Sequence, residues 1–345
     1  NAGSIMDLSW LENYPIEGAL LLWQGGMESG SAAADVLTGK KDACGRLTDT
    51  IAYRYEDYPS AKDFLGQDYN FYTEDIYVGY RYFETFAPEA VQFPFGFGLS
   101  YTTFSLENIT VTPHGDKAFV KATVRNTGSR PGKDVVQVYV EPPQGKLGKP
   151  LRNLVQFQKT HLLQPGEHQT ITLPFPLGAA ASYDDSGVTG HRSAWVLEAG
   201  DYRIYVGENV RAASLVGSIP VSETRVLLQL EETCPPSPLH PFQRLVNQNG
   251  QKVYEPVPTA TRSLKQRILG NLPEEIPFTG DKGITLQNVA LGLVPLEDFI
   301  AQLTPEDLAA LSRGDFVMDS SLGTKGNAGT FAGVTERLRQ LGVPA

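Results

Sequence analysis

The sequence predicts a multidomain protein that joins an α/β part to an all-β part. Its 345 residues exceed the size at which one hydrophobic core usually stops growing. An apolar run, a glycine-rich turn and a run of helix-forming residues follow one another between residues 19 and 39. Alternating apolar and polar residues then dominate from residue 105 to residue 230. The first pattern predicts a strand, a turn and a helix, and the second predicts antiparallel strands.

The first unit begins with the apolar run Ala19–Trp23, which is typical of a strand covered on both faces. Glycines within Gln24–Gly30 interrupt this run, and Ser31–Leu37 then supplies strong helix formers before Gly39, where a helix stop is expected. A domain that opened with this single unit could not cover its own sheet. We therefore expect further strands and helices of the same domain upstream of Asn1.

The all-β part shows period-two alternation at regular spacing. The alternation is clearest in the segments Ala118–Val124, Val135–Val140 and Tyr202–Val206. Between them lie turn-forming clusters of Asn, Pro and Gly, at Asn126–Gly128, Pro131–Gly132, Gln164–Glu167 and Ala199–Asp201. Short strands separated by such turns predict an antiparallel β-sandwich.

The remainder of the chain has less regular patterns. Residues 233–290 open with a proline-rich stretch and show weak periodicity, which predicts an extended connection along other domains. Thr304–Asp307 supplies a cap residue, a proline at the first helical position and acidic residues in the first turn. We expect a helix from there to Gly314, a loop over residues 315–333 and a second short helix over Thr335–Leu341.

Composition narrows the classes of partner. The formal charge is −10, which disfavours nucleic acid and anionic membranes, because both select for clustered Lys and Arg. No apolar stretch approaches the roughly 18 residues that a membrane-spanning helix needs. A neutral ligand such as a sugar fits this balance better.

The cysteines and histidines suggest neither a metal nor a cofactor. Cys44 and Cys234 lie far apart and lack metal-type spacing, so we expect two free thiols and no disulfide framework. Free thiols favour a reducing compartment, and we therefore expect a cytoplasmic protein. The five histidines show no ligand or catalytic-triad spacing.

Four stretches carry a resemblance to a known family. They are Asn1–Trp10, Leu21–Leu47, Tyr72–Phe83 and Phe93–Phe104. Together they closely resemble the second, α/β-sandwich domain of glycoside hydrolase family 3. The last two stretches are highly specific for that family.

The rest of the chain extends this resemblance. The segments Leu151–Phe157 and Leu163–Glu167 resemble the fibronectin type III-like domain attached to many family 3 β-glucosidases. Leu296–Ala345 looks like the opening of the family's (β/α)8 domain. Most members place that barrel first, so the order here is similar to a bacterial subgroup with reversed domains.

The resemblance implies four parts of the chain. These are the C-terminal part of an α/β-sandwich domain (1–104), a fibronectin type III-like β-sandwich (105–232), an extended linker (233–290) and the start of a (β/α)8 barrel (291–345).

The resemblance also implies that the catalytic pair lies outside this sequence. Retaining glycoside hydrolysis needs a nucleophilic carboxylate and an acid/base carboxylate about 5 Å apart. In the family the nucleophile is an Asp in a Ser-Asp-Trp-type motif of the barrel, which does not occur here. The acid/base Glu belongs to the sandwich domain at a position that would precede Asn1.

Three residues remain candidates for contact with the substrate. Glu28 matches the glutamate of the family's Pro-Gly-Gln-Glu-Gly-Gly turn, although the proline is replaced here. The alternative for Glu28 is a helix-end carboxylate stabilised by the helix dipole. Asp315 and Phe316 match a turn near the barrel mouth, where an aromatic ring can stack on a sugar. Ordinary loop packing is the alternative for these two residues.

The tyrosine-rich run Tyr77, Tyr80 and Tyr82 could also offer a platform for a sugar. Packing in a core or at an interface is the favoured interpretation of these residues.

Together these features predict part of a retaining β-glucosidase acting on terminal β-D-glucosyl residues of β-glucosides and cello-oligosaccharides. The partners expected are that substrate and the remaining part of the same enzyme, and a homo-oligomer is left open. The alternatives are a non-catalytic carbohydrate-binding or assembly module, and a family 3 xylosidase or N-acetylglucosaminidase.

Overall fold

The computed structural model describes residues 3–66, 68–232, 234–313 and 336–343. The chain divides into two compact units, Asn1–Thr261 and Arg262–Ala345. None of the helices in the described ranges is long and apolar enough to span a bilayer.

The N-terminal part of the first unit is a small mixed α/β region. Its helices and strands are α1 Ser29–Leu37, β1 Ile51–Ala52, α2 Tyr80–Phe86 and β2 Val91–Phe93. β1 and β2 pair antiparallel. Short 3-10 helices occur at Ser9–Asn13, Tyr55–Asp57 and Pro88–Ala90. The helix predicted after the glycine-rich turn is confirmed as α1.

The strand predicted at Ala19–Trp23 does not form. The segment has no regular secondary structure, and Leu20 and Leu22 are each 37% exposed. A strand is stable only when its backbone groups bond to a neighbour. No strand of the described residues pairs with this run, so its apolar composition alone does not make it a strand.

The β-sandwich follows and matches the predicted alternation. Its strands are β3 Phe104–His114, β4 Lys117–Asn126, β5 Val135–Glu141, β6 Asn153–Lys159, β7 His168–Pro176, β8 Ser182–Asp184, β9 Ala194–Leu197, β10 Gly200–Gly207, β11 Ser214–Val221 and β12 Arg225–Gln229. They form the sheets β11-β10-β5-β6, β3-β4-β7 and β12-β9-β8, all antiparallel. Side chains from the first two sheets share one apolar core, in which Val120, Val138 and Ile204 are fully buried. Burial of such side chains from both sheets stabilises the sandwich.

The segment 233–290, expected as an extended connection, contains a hairpin. β13 Gln243–Gln248 and β14 Gln251–Pro256 pair antiparallel around Asn249 and Gly250. Both turn residues have positive φ, +53° and +85°. This is the conformation of a type I′ turn, for which Asn-Gly is the preferred dipeptide. The hairpin belongs to the first unit, because Leu245 lies in an apolar core with Tyr77 and Phe83.

The second unit is helical in its described residues. Its helices are α3 Leu264–Gly270, α4 Leu286–Ala290, α5 Leu296–Ala301, α6 Pro305–Arg313 and α7 Glu336–Gln340. Phe299, Leu303 and Leu338 pack in its core. The helices predicted from Thr304 and over Thr335–Leu341 are confirmed as α6 and α7. The assignment of residues 291–345 to the opening of a barrel stays a prediction.

Candidate functional site

Glu28 lies at the start of α1, directly after the glycine-rich turn. Its carbonyl accepts a hydrogen bond from Ala32 N at 2.9 Å, while its side chain is exposed and makes no capping hydrogen bond. The turn needs glycine at position 25, because a Cβ there would lie 2.3 Å from Ser29 Cβ. The carboxylate of Glu28 is therefore accessible to a ligand, and its contact with substrate stays a prediction.

Asp315 and Phe316 lie outside the described residues, so their contact with substrate also stays a prediction. The helix that precedes them begins as the sequence indicates. Thr304 N donates to Asp307 Oδ2 at 3.0 Å, and Asp307 N donates to Thr304 Oγ1 at 3.2 Å. This reciprocal pair is a capping box, which fixes the first turn of α6.

The tyrosine-rich run serves packing, as favoured above. Tyr77 and Tyr82 are buried against Phe83 and Phe86. The hydroxyl of Tyr80 accepts a hydrogen bond from the backbone of β6, at Leu154 N.

One ion pair joins the α/β part to the β-sandwich, and hydrogen bonds within the α/β part surround it. The Asp42 carboxylate accepts hydrogen bonds from the Ser100 hydroxyl at 2.8 Å and from Tyr101 N at 2.8 Å. The Arg46 guanidinium donates to the Gly98 carbonyl and pairs with the Asp134 carboxylate. We call these six residues the joint. Its carboxylates and guanidinium are bound to other groups of the protein, which indicates that the family-like stretches of the α/β part have a structural role.

A second set of contacts extends this attachment. The Gln137 side-chain amide donates to the Gly96 and Glu208 carbonyls, and the Tyr139 hydroxyl donates to Gln137 Oε1. A pocket of about 260 Å³ opens nearby and is lined by Glu84, Leu151, Arg152, Val210 and Arg211. The two arginines of this pocket already have partners in the protein, since Arg211 pairs with Glu84 at 3.0 Å and Arg152 pairs with Glu141 at 2.8 Å.

Three carboxylates converge on the guanidinium of Arg244, at the start of the hairpin. Arg244 pairs with Asp75 at 3.1 Å, with Asp185 at 2.5 Å and with Glu255 at 3.0 Å. Burial raises the pKa of Asp75 above its ordinary value, and the charge of Arg244 opposes that rise. Burial alone lowers the pKa of Arg244, but the hydrogen bond and charge of Asp185 raise it above its ordinary value.

The Arg244 cluster is not an arrangement for glycoside hydrolysis. A nucleophile and an acid/base must both be free to act on the sugar, whereas these carboxylates are bound to one cation. The cluster instead joins the turn at Asp75, the loop after β8 and the hairpin. Neither this cluster nor the Arg46–Asp134 pair was predicted from the sequence.

A buried ion pair fixes the loop between β5 and β6. Lys149 and Glu198 are 1% and 5% exposed, and their side chains are in contact. Glu198 also accepts a hydrogen bond from Lys146 N at 2.7 Å, and Lys149 Nζ donates to the Pro143 carbonyl at 2.8 Å. Burial lowers the pKa of Lys149, and Glu198 opposes that shift. In the described ranges, no three His, Cys, Asp or Glu side chains gather as a metal site would require.

Comparison with known proteins agrees with this architecture. Residues 1–101 match the glycosyl hydrolase family 3 C-terminal domain, and residues 134–210 match a fibronectin type III-like domain. A beta-glucosidase of Ruminococcus albus is 45% identical over 345 residues, which are 100% of this chain and 36% of that protein.

Two solved structures are similar in fold. A beta-glucosidase from Paenibacillus barengoltzii has a TM-score of 0.89 and 46% identity, covering 100% of this chain and 39% of that chain. Beta-glucosidase 3B from Thermotoga neapolitana, in complex with alpha-D-glucose, has a TM-score of 0.60 and 41% identity over 66% of this chain and 31% of that chain. The chain therefore spans well under half the length of these relatives.

Proposed function

This chain belongs to glycosyl hydrolase family 3, and from that premise we propose that the full protein is a retaining β-glucosidase. It hydrolyses terminal non-reducing β-D-glucosyl residues of β-glucosides and cello-oligosaccharides. The observation that carries this proposal is the 45% identity to a beta-glucosidase along the whole chain. The activity is assigned to the full protein, because the chain covers 36% of that relative.

The catalytic carboxylates are placed outside this chain. The family resemblance supports this placement, and the three carboxylates that converge on Arg244 are themselves bound to that cation. Within the full enzyme, Glu28, Asp315 and Phe316 are proposed to contact the sugar. The joint holds the α/β part and the β-sandwich in a fixed arrangement, so that Glu28 is presented from a stable scaffold.

The partners of this chain are the glucoside and the remaining part of the same enzyme. A cytoplasmic location is proposed on the two free thiols, Cys44 and Cys234. A xylosidase or N-acetylglucosaminidase of the same family is the second candidate. A non-catalytic module is disfavoured, because the relatives matched over the whole chain are named beta-glucosidases.

The proposal is tested by assaying the full-length protein on aryl β-glucoside, β-xyloside and N-acetyl-β-glucosaminide. We expect the highest kcat/KM on the glucoside, with retention of the anomeric configuration in NMR of the first-formed product. The 345-residue chain alone should show no turnover above background. A preference for another glycoside would refute the substrate assignment, and turnover by the chain alone would refute the placement of the catalytic pair.

A further inference from the structure

A row of large apolar side chains crosses one face of the sheet β12-β9-β8. Tyr183 is paired with Trp195, and Trp195 is paired with Leu228, so the three side chains project from the same face. They are 37%, 42% and 51% exposed. The ring centroids of Tyr183 and Trp195 lie 5.5 Å apart, with the ring planes at 56°. We call these three residues the aromatic row.

The row is supported by a well-packed opposite face. Ala194 and Val196, which flank Trp195 on β9, are fully buried. Asp184, next to Tyr183, is also fully buried, and its carboxylate accepts hydrogen bonds from Gly187 N at 2.6 Å and from Thr189 N at 2.8 Å. The strands beneath the two rings are therefore held in place, and a ligand would meet rings that are already positioned.

The polar edges of the two rings are available. Among the described residues, neither the indole N–H of Trp195 nor the hydroxyl of Tyr183 has a hydrogen-bond partner. Because both rings are partly exposed, these polar groups are open to solvent and to a ligand. The row carries no charged side chain, so its surface is complementary to a neutral ligand rather than to an ionic one.

Sugars match this chemistry. A pyranose ring offers a face of C–H groups, which can stack on an aromatic ring, and hydroxyls at its edge, which can bond to an indole N–H or a phenol. We propose that the aromatic row is an accessory binding surface for a neutral β-linked glucan chain. The choice of a β-linked chain rests on the proposed function. The binding itself is separate from hydrolysis.

The test is affinity electrophoresis of the full-length protein in native gels that contain soluble mixed-linkage β-glucan, with gels containing soluble starch alongside. The variants are Trp195→Ala and Tyr183→Ala, with Phe157→Ala as the matched control. Phe157 is an exposed aromatic residue of the same sandwich, on β6, and is 60% exposed. Melting temperatures and kcat/KM on an aryl β-glucoside are measured for each variant.

We expect β-glucan to retard the parent protein, Trp195→Ala to weaken binding about tenfold and Phe157→Ala to leave it unchanged, because a central aromatic anchor carries most of the contact. The kcat/KM should be the same in all variants. Equal retardation of parent and Trp195→Ala would overturn the proposal, and so would stronger retardation by starch. If light scattering shows that Trp195→Ala lowers the molecular mass, the row is a contact between copies and the proposal is wrong. Trp195-dependent retardation without glucosidase activity would refute the proposed function alone.

Discussion

The guanidinium of Arg46 pairs with the carboxylate of Asp134, although 88 residues separate them in the sequence. The two side chains are only 12% and 5% exposed. Asp134 is further fixed by a hydrogen bond from Val135 N at 2.7 Å, at the start of β5. Removing one partner would leave a buried charge without compensation.

Arg46→Met should therefore destabilise the full-length protein by about 3–5 kcal/mol, the usual cost of breaking a buried ion pair. The midpoint of urea unfolding measures this cost. Arg54→Gln is the control, because Arg54 pairs with Asp57 at 3.0 Å but its side chain is 74% exposed. The control should lose no more than about 1 kcal/mol. Equal losses in the two variants would contradict a structural role for the joint.

Arg244→Met should release the hairpin β13–β14 from the rest of the first unit. Asp75, Asp185 and Glu255 would then repel one another without their shared cation. Hydrogen exchange of residues 243–256 should become faster, while exchange in β4 and β5 should stay unchanged. Glu255→Gln removes the most exposed of the three carboxylates and should have little effect on exchange. Unchanged exchange in Arg244→Met would show that Leu245 and its neighbours hold the hairpin without the cluster.

Stability should fall in alkaline solution through Tyr202. Burial, with the charge of Glu198, raises the pKa of Tyr202 from 10.0 to about 12. Unfolded chains therefore lose this proton at a lower pH than folded ones, and rising pH between 10 and 12 removes stability. The stability that the raised pKa of Tyr202 contributes to the folded protein is fully present below pH 10.

The difference between the parent and Tyr202→Phe isolates this effect. The difference between a pKa of 10.0 in the unfolded chain and about 12 in the folded protein corresponds to roughly 3 kcal/mol in the free energy of unfolding. Below pH 10, Tyr202→Phe should be the less stable protein, because it lacks the hydrogen bond from the Tyr202 hydroxyl to the Glu198 carbonyl at 3.0 Å. That deficit should shrink as the pH rises from 10 to 12 in urea unfolding experiments. A deficit that stays constant over this range would contradict the raised pKa.

Glu28→Gln tests the proposed sugar contact. The side chain is exposed and caps nothing, so the melting temperature should be unchanged. If Glu28 bonds to the sugar, kcat/KM of the full enzyme should fall about tenfold, since a hydrogen bond to a charged group contributes roughly 1.5–3 kcal/mol. An unchanged kcat/KM with a slightly lower melting temperature would instead identify Glu28 as a helix-end carboxylate.

Local patterns predicted the elements whose sequence signal lies within the element itself. The alternation in Ala118–Val124 predicted β4, and the cap at Thr304 predicted α6, because both signals depend on neighbouring residues. The hairpin also had such a signal, the dipeptide Asn249-Gly250 between alternating residues. The proline-rich start of residues 233–290 predicted an extended connection instead, and the hairpin signal was not recognised.

The elements that sequence patterns missed depend on distant partners. The apolar run Ala19–Trp23 resembles a buried strand, but an apolar run does not specify the neighbour that would bond to it. The Arg46–Asp134 pair and the Arg244 cluster are formed by charged residues of ordinary spacing. Only the fold brings them together. The candidates Asp315 and Phe316 were named by resemblance alone and remain predictions.

The position of the hairpin has a consequence for biosynthesis. Asn247 N donates to the Tyr77 hydroxyl across 170 residues of sequence, and Leu245 completes the apolar core around Tyr77 and Phe83. A ribosome that adds roughly 5–20 residues per second needs on the order of ten seconds or more to make the intervening chain. The β-sandwich is therefore synthesised before the α/β part can close its core. During that interval Tyr77 and Phe83 lack their contact with Leu245, so the apolar core of the α/β part stays incompletely covered until the hairpin emerges.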